Sequence, residues 1–118
     1  MDLSALEGKW LKTNDGPPQW LRSFEIAADG GSLRIRPRGD GGGSPDDWGT
    51  ATADSLYALN AESKAGAAFI ASYDFDGLSC VLQGNVNLGL LVVACFTKFR
   101  DGSGRADLFS REFFRRLD

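Results

Sequence analysis

Histidine is missing altogether from this sequence. Its absence excludes Ser-His-Asp and Cys-His catalysis, His-ligated haem, His-bound zinc and a charge switch near neutral pH. Any general acid or base must then be Asp, Glu, Lys, Tyr or Cys. Cysteine is scarce too: Cys80 and Cys95 are the only two, too few for an all-thiolate zinc site in one chain. No metal or cofactor is expected. Positive charge is outweighed, with 13 Lys and Arg against 16 Asp and Glu for a net charge of −3. A phosphate-backbone binder needs the opposite balance, so nucleic acid is not an expected partner. No run is apolar enough to span a bilayer, and the N-terminus lacks the zones of a signal peptide. The expectation is therefore a cytoplasmic protein, off the membrane, with both thiols reduced and inert.

What the chain does contain is glycine and aromatic residues: 15 Gly, eight Phe and three Trp among 118 residues. Turn signals recur at short intervals and predict strands at 8–13, 20–28, 32–38, 48–59, 66–76, 77–85, 88–100 and 105–116. They are joined by "NDGPPQ", "DGG", "GDGGGSPDD", "NAESK", Asp76-Gly77, "NVN" and "DGSG". Residues 2–7 amount to one helical turn at most. Eight strands with hairpin-like connections predict one domain over residues 1–118. Its fold class is all-β, a single eight-stranded antiparallel up-and-down barrel that closes its own edges.

Register follows from the turns. A two-residue Asp76-Gly77 turn pairs Phe75 with Leu78 and Tyr73 with Cys80. A turn at Gly102-Ser103 pairs Phe99 with Ala106 and Lys98 with Asp107. A third, near Asn87, sets Cys80 opposite Cys95 or two residues from it. Alternation then gives an inner face with Phe69, Ala71, Tyr73, Leu82, Val93, Cys95, Thr97, Ala106 and Leu108. Ser72, Asp74, Gln83, Lys98 and Arg111 point outward. The polar groups inside are Tyr73, Thr97, Ser110 and Glu112, joined by Arg22 from strand two. Such groups either converge on a ligand or form a buried ion pair of Glu112 with Arg22 or Arg116. An eight-stranded interior holds side chains or one small ligand, and both readings stand.

Val92, Phe96, Phe109 and Phe113 have outward parity on the last two strands. They form an association patch for a homodimer or homotetramer, or else chain ends or a loop cover them. Arg34, Arg36 and Arg38 share one strand face, which reads as a solvated face ahead of an anion site. The loop "GDGGGSPDDWG" (39–49) is the longest connection. Its Asp46 and Asp47 either line a rim or cap the turn. "DGSGRADLFSRE" carries Arg105 and Ala106 where a calcium loop needs a ligand and a glycine, so it reads as a hairpin turn.

Gly8-x-Trp10 at the head of the first of eight antiparallel strands resembles the calycin superfamily of lipocalins, fatty-acid-binding proteins and avidins. The resemblance implies that Trp10 packs across the barrel floor beneath an arginine from the end of the chain. Arg116 has the parity for it, with Arg115 as substitute. "SPDDWG" is similar to a group of small uncharacterised bacterial barrels with a DWG step, which implies no function. "GKWLKTND" resembles the first strand and turn of a biotin binder, with Asn14 matching the ureido-binding Asn. The following "DGPPQ" lacks the Ser, however, and no Trp follows Trp48.

The expected function is binding of a small, largely apolar ligand inside the barrel. Arg22, Asp47, Trp48, Tyr73, Thr97, Ser110 and Glu112 are its candidate contacts. The alternative is a filled barrel that acts as an oligomerising interaction module. An isomerase or cyclase-like enzyme using Glu112, Tyr73 or Asp47 in proton transfer ranks last, because no carboxylate pair is placed for it. No catalytic residue is assigned.

Overall fold

The computed structural model describes residues 1–13 and 20–117. The connection expected at 14–19, with Asn14 in it, lies outside the described residues, as does Asp118. Among the described residues every regular element is a strand: β1 (Gly8–Lys12), β2 (Leu21–Asp29), β3 (Ser32–Gly39), β4 (Ala51–Thr52), β5 (Ser55–Tyr57), β6 (Ala68–Phe75), β7 (Leu78–Asn87), β8 (Leu90–Phe99) and β9 (Leu108–Leu117). They form one antiparallel sheet in the order β4-β3-β2-β1-β9-β8-β7-β6-β5, curled into a half-barrel. No helix is long and apolar enough to cross a membrane.

Eight strands were expected and nine are found, because the stretch 48–59 is broken. Its first part, β4, pairs with β3, and the Ala53 N–H donates to the Leu33 carbonyl at 2.8 Å. One residue later the Asp54 N–H donates to the Ile70 carbonyl at 2.7 Å, and β5 pairs with β6. The segment thus passes from one sheet edge to the other. A period-of-two pattern reports that a stretch is extended, not which neighbour it pairs with.

The Asp76-Gly77 hairpin has the expected register, Phe75 opposite Leu78 and Tyr73 opposite Cys80. Cys95 stands opposite Leu82, two residues from Cys80's partner Thr97. The turn between β7 and β8 falls at Leu88-Gly89 instead of the expected "NVN". Both residues have positive φ, 53° and 80°, as a two-residue type I′ turn requires. Leu88 adopts this left-handed backbone with its side chain in solvent, 95% exposed. The β8–β9 pairing continues the expected register, with Thr97 opposite Leu108. Ala106 and Leu108, expected inside, are nevertheless exposed. The ladder begins only at Leu108, so the chain before it has no sheet to cover.

A β-bulge corrects the reading of Arg22. Leu21 pairs with Gly39 and Ser23 with Arg38, leaving Arg22 as the extra residue. The bulge inverts the parity at the start of β2. Leu21 is fully buried and Arg22 is exposed. Below it, Phe24 and Ile26 continue the inner face, and Phe24 meets Phe114 edge to face at 4.9 Å. Phe69, Ile35, Leu82, Leu91 and Val93 fill the space around that pair. Each is almost wholly removed from water, which stabilises the fold by about 1.5–3 kcal/mol per side chain before chain entropy is counted.

Candidate functional site

The hollow of the curled sheet ends differently at its two ends. At one end lies Trp10, 1% exposed, with its indole N–H donating to the Leu6 carbonyl at 3.1 Å. The Arg116 guanidinium lies 4.6 Å above the ring centroid and donates to the Ala5 carbonyl at 2.6 Å. Gly8 has φ 135°, and a Cβ there would come within 3.1 Å of Arg116 Nε. The glycine two residues before the tryptophan therefore makes room for the arginine. Leu3 and Leu6, both buried, close this end, and the Asp2 N–H and carbonyl clamp the turn to Lys64 and Gly66. Arg115 has the opposite parity and is exposed.

At the other end the inner face turns polar. Lys12 Nζ lies 3.7 Å from Glu112 Oε2, with the two side chains only 10% and 7% exposed. The cation beside Glu112 is thus Lys12, and neither Arg22 nor Arg116. Glu112 Oε1 accepts the Trp20 backbone N–H at 3.4 Å. Burial pushes the Glu112 carboxyl above the ordinary glutamate range, against the opposing pull of Lys12. Thr97 Oγ1 stands 3.3 Å from Cys80 Sγ and 3.6 Å from Cys95 Sγ. Both cysteines are free thiols. Contact with Cys80, then burial, holds the Cys95 thiol far above its usual range, while the contact lowers that of Cys80. Three buried polar atoms here have no hydrogen-bond partner among the described residues: Trp20 Nε1, Ser110 Oγ and Glu112 Oε2.

The structure therefore brings Thr97, Ser110 and Glu112 together and adds two groups that sequence reasoning missed, Lys12 and Trp20. The signal for Lys12 was present, since it shares the parity of Trp10 on β1. That for Trp20 was not, because it precedes the first ladder pair of β2. Tyr73 stays apart: its hydroxyl donates to the Ile35 carbonyl at 2.8 Å, and burial raises its pKa well above the phenol value. Trp48 packs against Tyr73 and Phe75 with centroids 5.5 and 5.2 Å apart, and its indole N–H donates to the Pro45 carbonyl.

The acids of the 39–49 loop are engaged in holding it. Asp46 pairs with Arg22 at 2.8 Å and Asp47 with Arg36 at 2.6 Å. Hydrogen bonds from Arg36 and from the Gly49 N–H hold the Asp47 carboxyl far below the usual range. Asp40 Oδ1 accepts the N–H groups of Gly42 and Ser44. Arg22 and Asp47 thus form rim ion pairs outside the polar cluster. On the outer face Phe96, Phe109 and Phe113 are exposed, whereas Val92, grouped with them by parity, is buried between Asn85 and Phe113.

Among the described residues no group of three His, Cys, Asp or Glu is placed to hold a metal ion. The cluster offers donors from Lys12, Trp20 and Ser110 and one acceptor carboxylate. A single carboxylate already beside a cation suits hydrogen bonding to a bound group better than proton shuttling. Comparison with family models, with curated proteins and with solved structures finds no match to this chain.

Proposed function

We propose that this protein is a calycin-like barrel that binds a small, largely apolar ligand with one polar group. The ligand's polar group sits on the cluster of Lys12, Trp20, Ser110 and Glu112. Its apolar part lies against the neighbouring aromatic side chains, Trp20 and Phe99, whose rings meet edge to face at 6.3 Å. The observation that carries this reading is a pair of buried polar atoms with no hydrogen-bond partner among the described residues, Trp20 Nε1 and Ser110 Oγ, beside a Glu112 Oε2 that meets only Lys12 at 3.7 Å. Each such group costs about 1–3 kcal/mol when left unsatisfied, a cost that a bound donor–acceptor group removes.

The calycin likeness has two supports. Gly8, Trp10 and Arg116 form one stacked unit at the head of β1. The broken segment from β4 to β5 bonds both sheet edges in succession, as a stave joining the two edges of a barrel would. The far end is filled by side chains, so the ligand is expected at the polar end only.

Native mass spectrometry of the protein purified from its own cells tests the proposal. A copurifying small mass, released by collisional activation and lost from Ser110→Ala and Glu112→Gln, is the expected result. Ordered water on the same atoms would leave a clean ligand-free mass, and that outcome overturns the reading.

A further inference from the structure

We infer that Cys80 and Cys95 form a two-thiolate site for a single soft cation, copper(I), inside the sheet's hollow. They are the chain's only cysteines, and both are free thiols on the inner face, 1% exposed. Counting back from the two-residue turn at Leu88-Gly89, Asn87 and Leu90 exchange hydrogen bonds and every second pair after them does the same. Cys80–Thr97 and Leu82–Cys95 are therefore both non-hydrogen-bonded pairs, the kind in which facing side chains stand closest. The cysteines are diagonal neighbours across these two rows. The Thr97 hydroxyl touches both sulfurs, at 3.3 Å and 3.6 Å.

Magnitudes decide what such a pair can hold. Cβ atoms of diagonal neighbours lie roughly 6–7 Å apart, whereas a disulfide needs about 3.8 Å. A metal ion between the sulfurs, with bonds of about 2.3 Å, spans about 4.6 Å and fits that separation. Zinc takes four ligands, and among the described residues no group of three His, Cys, Asp or Glu is placed to hold a metal. Copper(I) is soft, selects thiolates and is satisfied by an opposed pair of them. Its binding exchanges one cation for two thiol protons and leaves one negative charge on the site, which Lys12 at the same end of the hollow offsets. The donors that steady a thiolate are in place. Ser110 stands opposite Cys95, and the Trp20 indole N–H approaches Cys80 short of an ordinary hydrogen bond. The thiols already act as a pair, since their contact holds Cys80 below and Cys95 above the usual range. A short route leads in, because Cys80 and Thr97 lie one row inside Leu78 and Phe99, the end of that ladder, and Thr97 faces the exposed Leu108.

Anaerobic titration of the reduced full chain with copper(I), against bathocuproine disulfonate as competitor, tests this. The expected result is one ion per chain, held at least about tenfold tighter than by the same chain unfolded in urea. Its X-ray absorption should be that of two-coordinate copper with sulfur neighbours. Cys80→Ala and Cys95→Ala should each weaken binding at least about a hundredfold, and Ser110→Ala about tenfold with the stoichiometry unchanged. A folded chain that yields all copper to the competitor overturns the inference. So does equal affinity in the folded and unfolded chain, or binding that survives either cysteine substitution. Should a cysteine variant lose its fold by near-ultraviolet dichroism, the comparison of folded with unfolded chain and the absorption spectrum decide alone. The titration needs no organic ligand, and copper and an organic ligand add different masses, so this inference and the ligand reading fail separately.

Discussion

The two ends of the sheet's hollow carry the same elements on opposite terms. Around Trp10 the named polar groups are partnered: the indole N–H has the Leu6 carbonyl, and the Arg116 guanidinium has the Ala5 carbonyl and lies over the ring. Around Glu112, among the described residues, Trp20 Nε1 and Ser110 Oγ lack hydrogen-bond partners, and a lysine and a carboxylate share a nearly dry site at 3.7 Å. The first end is built for stability. The second carries costs that a folding argument alone does not explain, and residues kept at such a cost are where function is to be sought.

Substitutions sharpen this contrast, and the largest effect belongs to the packed end. Trp10→Ala removes a buried indole from beneath Arg116 and should lower unfolding stability by about 4 kcal/mol, measured by urea denaturation. A loss under about 1 kcal/mol would mean that Trp10 is not the anchor described here. At the polar end, Lys12→Met leaves Glu112 buried without its cation, and stability near neutral pH should fall by about 3 kcal/mol.

The sign of the pH dependence separates this second effect from a simple packing defect. The Glu112 carboxyl is raised in the folded state, so the native protein holds a proton that the unfolded chain releases. Its contribution is fully present below the ordinary glutamate pKa and is lost as pH rises through the raised value. Lys12→Met removes a group that holds the carboxyl down, which extends the window upward. The variant should therefore regain part of its stability on acidification from about pH 7 to about pH 5. A deficit that is constant across that range would show that Lys12 acts by packing alone.

A smaller effect is expected from Gly84→Ala on β7. A Cβ at that position would overlap the Phe69 ring, which is itself buried. Overpacking of this kind costs about 1–3 kcal/mol, and the thermal midpoint should drop accordingly. An unchanged midpoint would mean that the Phe69 ring has room to move. The smallest effect has the opposite sign. Leu88 occupies a left-handed turn position in full solvent exposure, and Leu88→Asn should raise stability by about 0.5–1 kcal/mol. A destabilised Leu88→Asn would argue that the exposed leucine makes a contact of its own.

Much of the sheet was legible beforehand because hairpins are local. Phe75 to Leu78 and Tyr73 to Cys80 follow from a two-residue turn and a period of two, and so does the burial of Ala71, Leu82 and Val93. Arg34, Arg36 and Arg38 were placed outward by the same alternation, and two of them are ion-paired there. Parity fails where one residue is inserted or a ladder stops. The bulge at Arg22 turned that side chain out and Leu21 in, and Leu108 lost its cover where β9 begins. Of the site, Thr97, Ser110 and Glu112 were legible as inner polar residues. Their association with Lys12 and Trp20 was not, because those residues come from the opposite end of the chain.

The sequence by itself determined an all-strand chain, the hairpin registers of its second half and the chemistry excluded by the lack of histidine. Those properties rest on local backbone geometry and on which side chains exist at all. Tertiary structure alone decided that residues 51–57 serve two sheet edges, that Lys12 rather than an arginine stands beside Glu112, and that the two ends of the hollow differ. These depend on the curl of the sheet, which brings β1 against β9 across about a hundred residues. No turn motif or periodicity encodes a meeting at that separation; only the closure of the inner face on a shared core does.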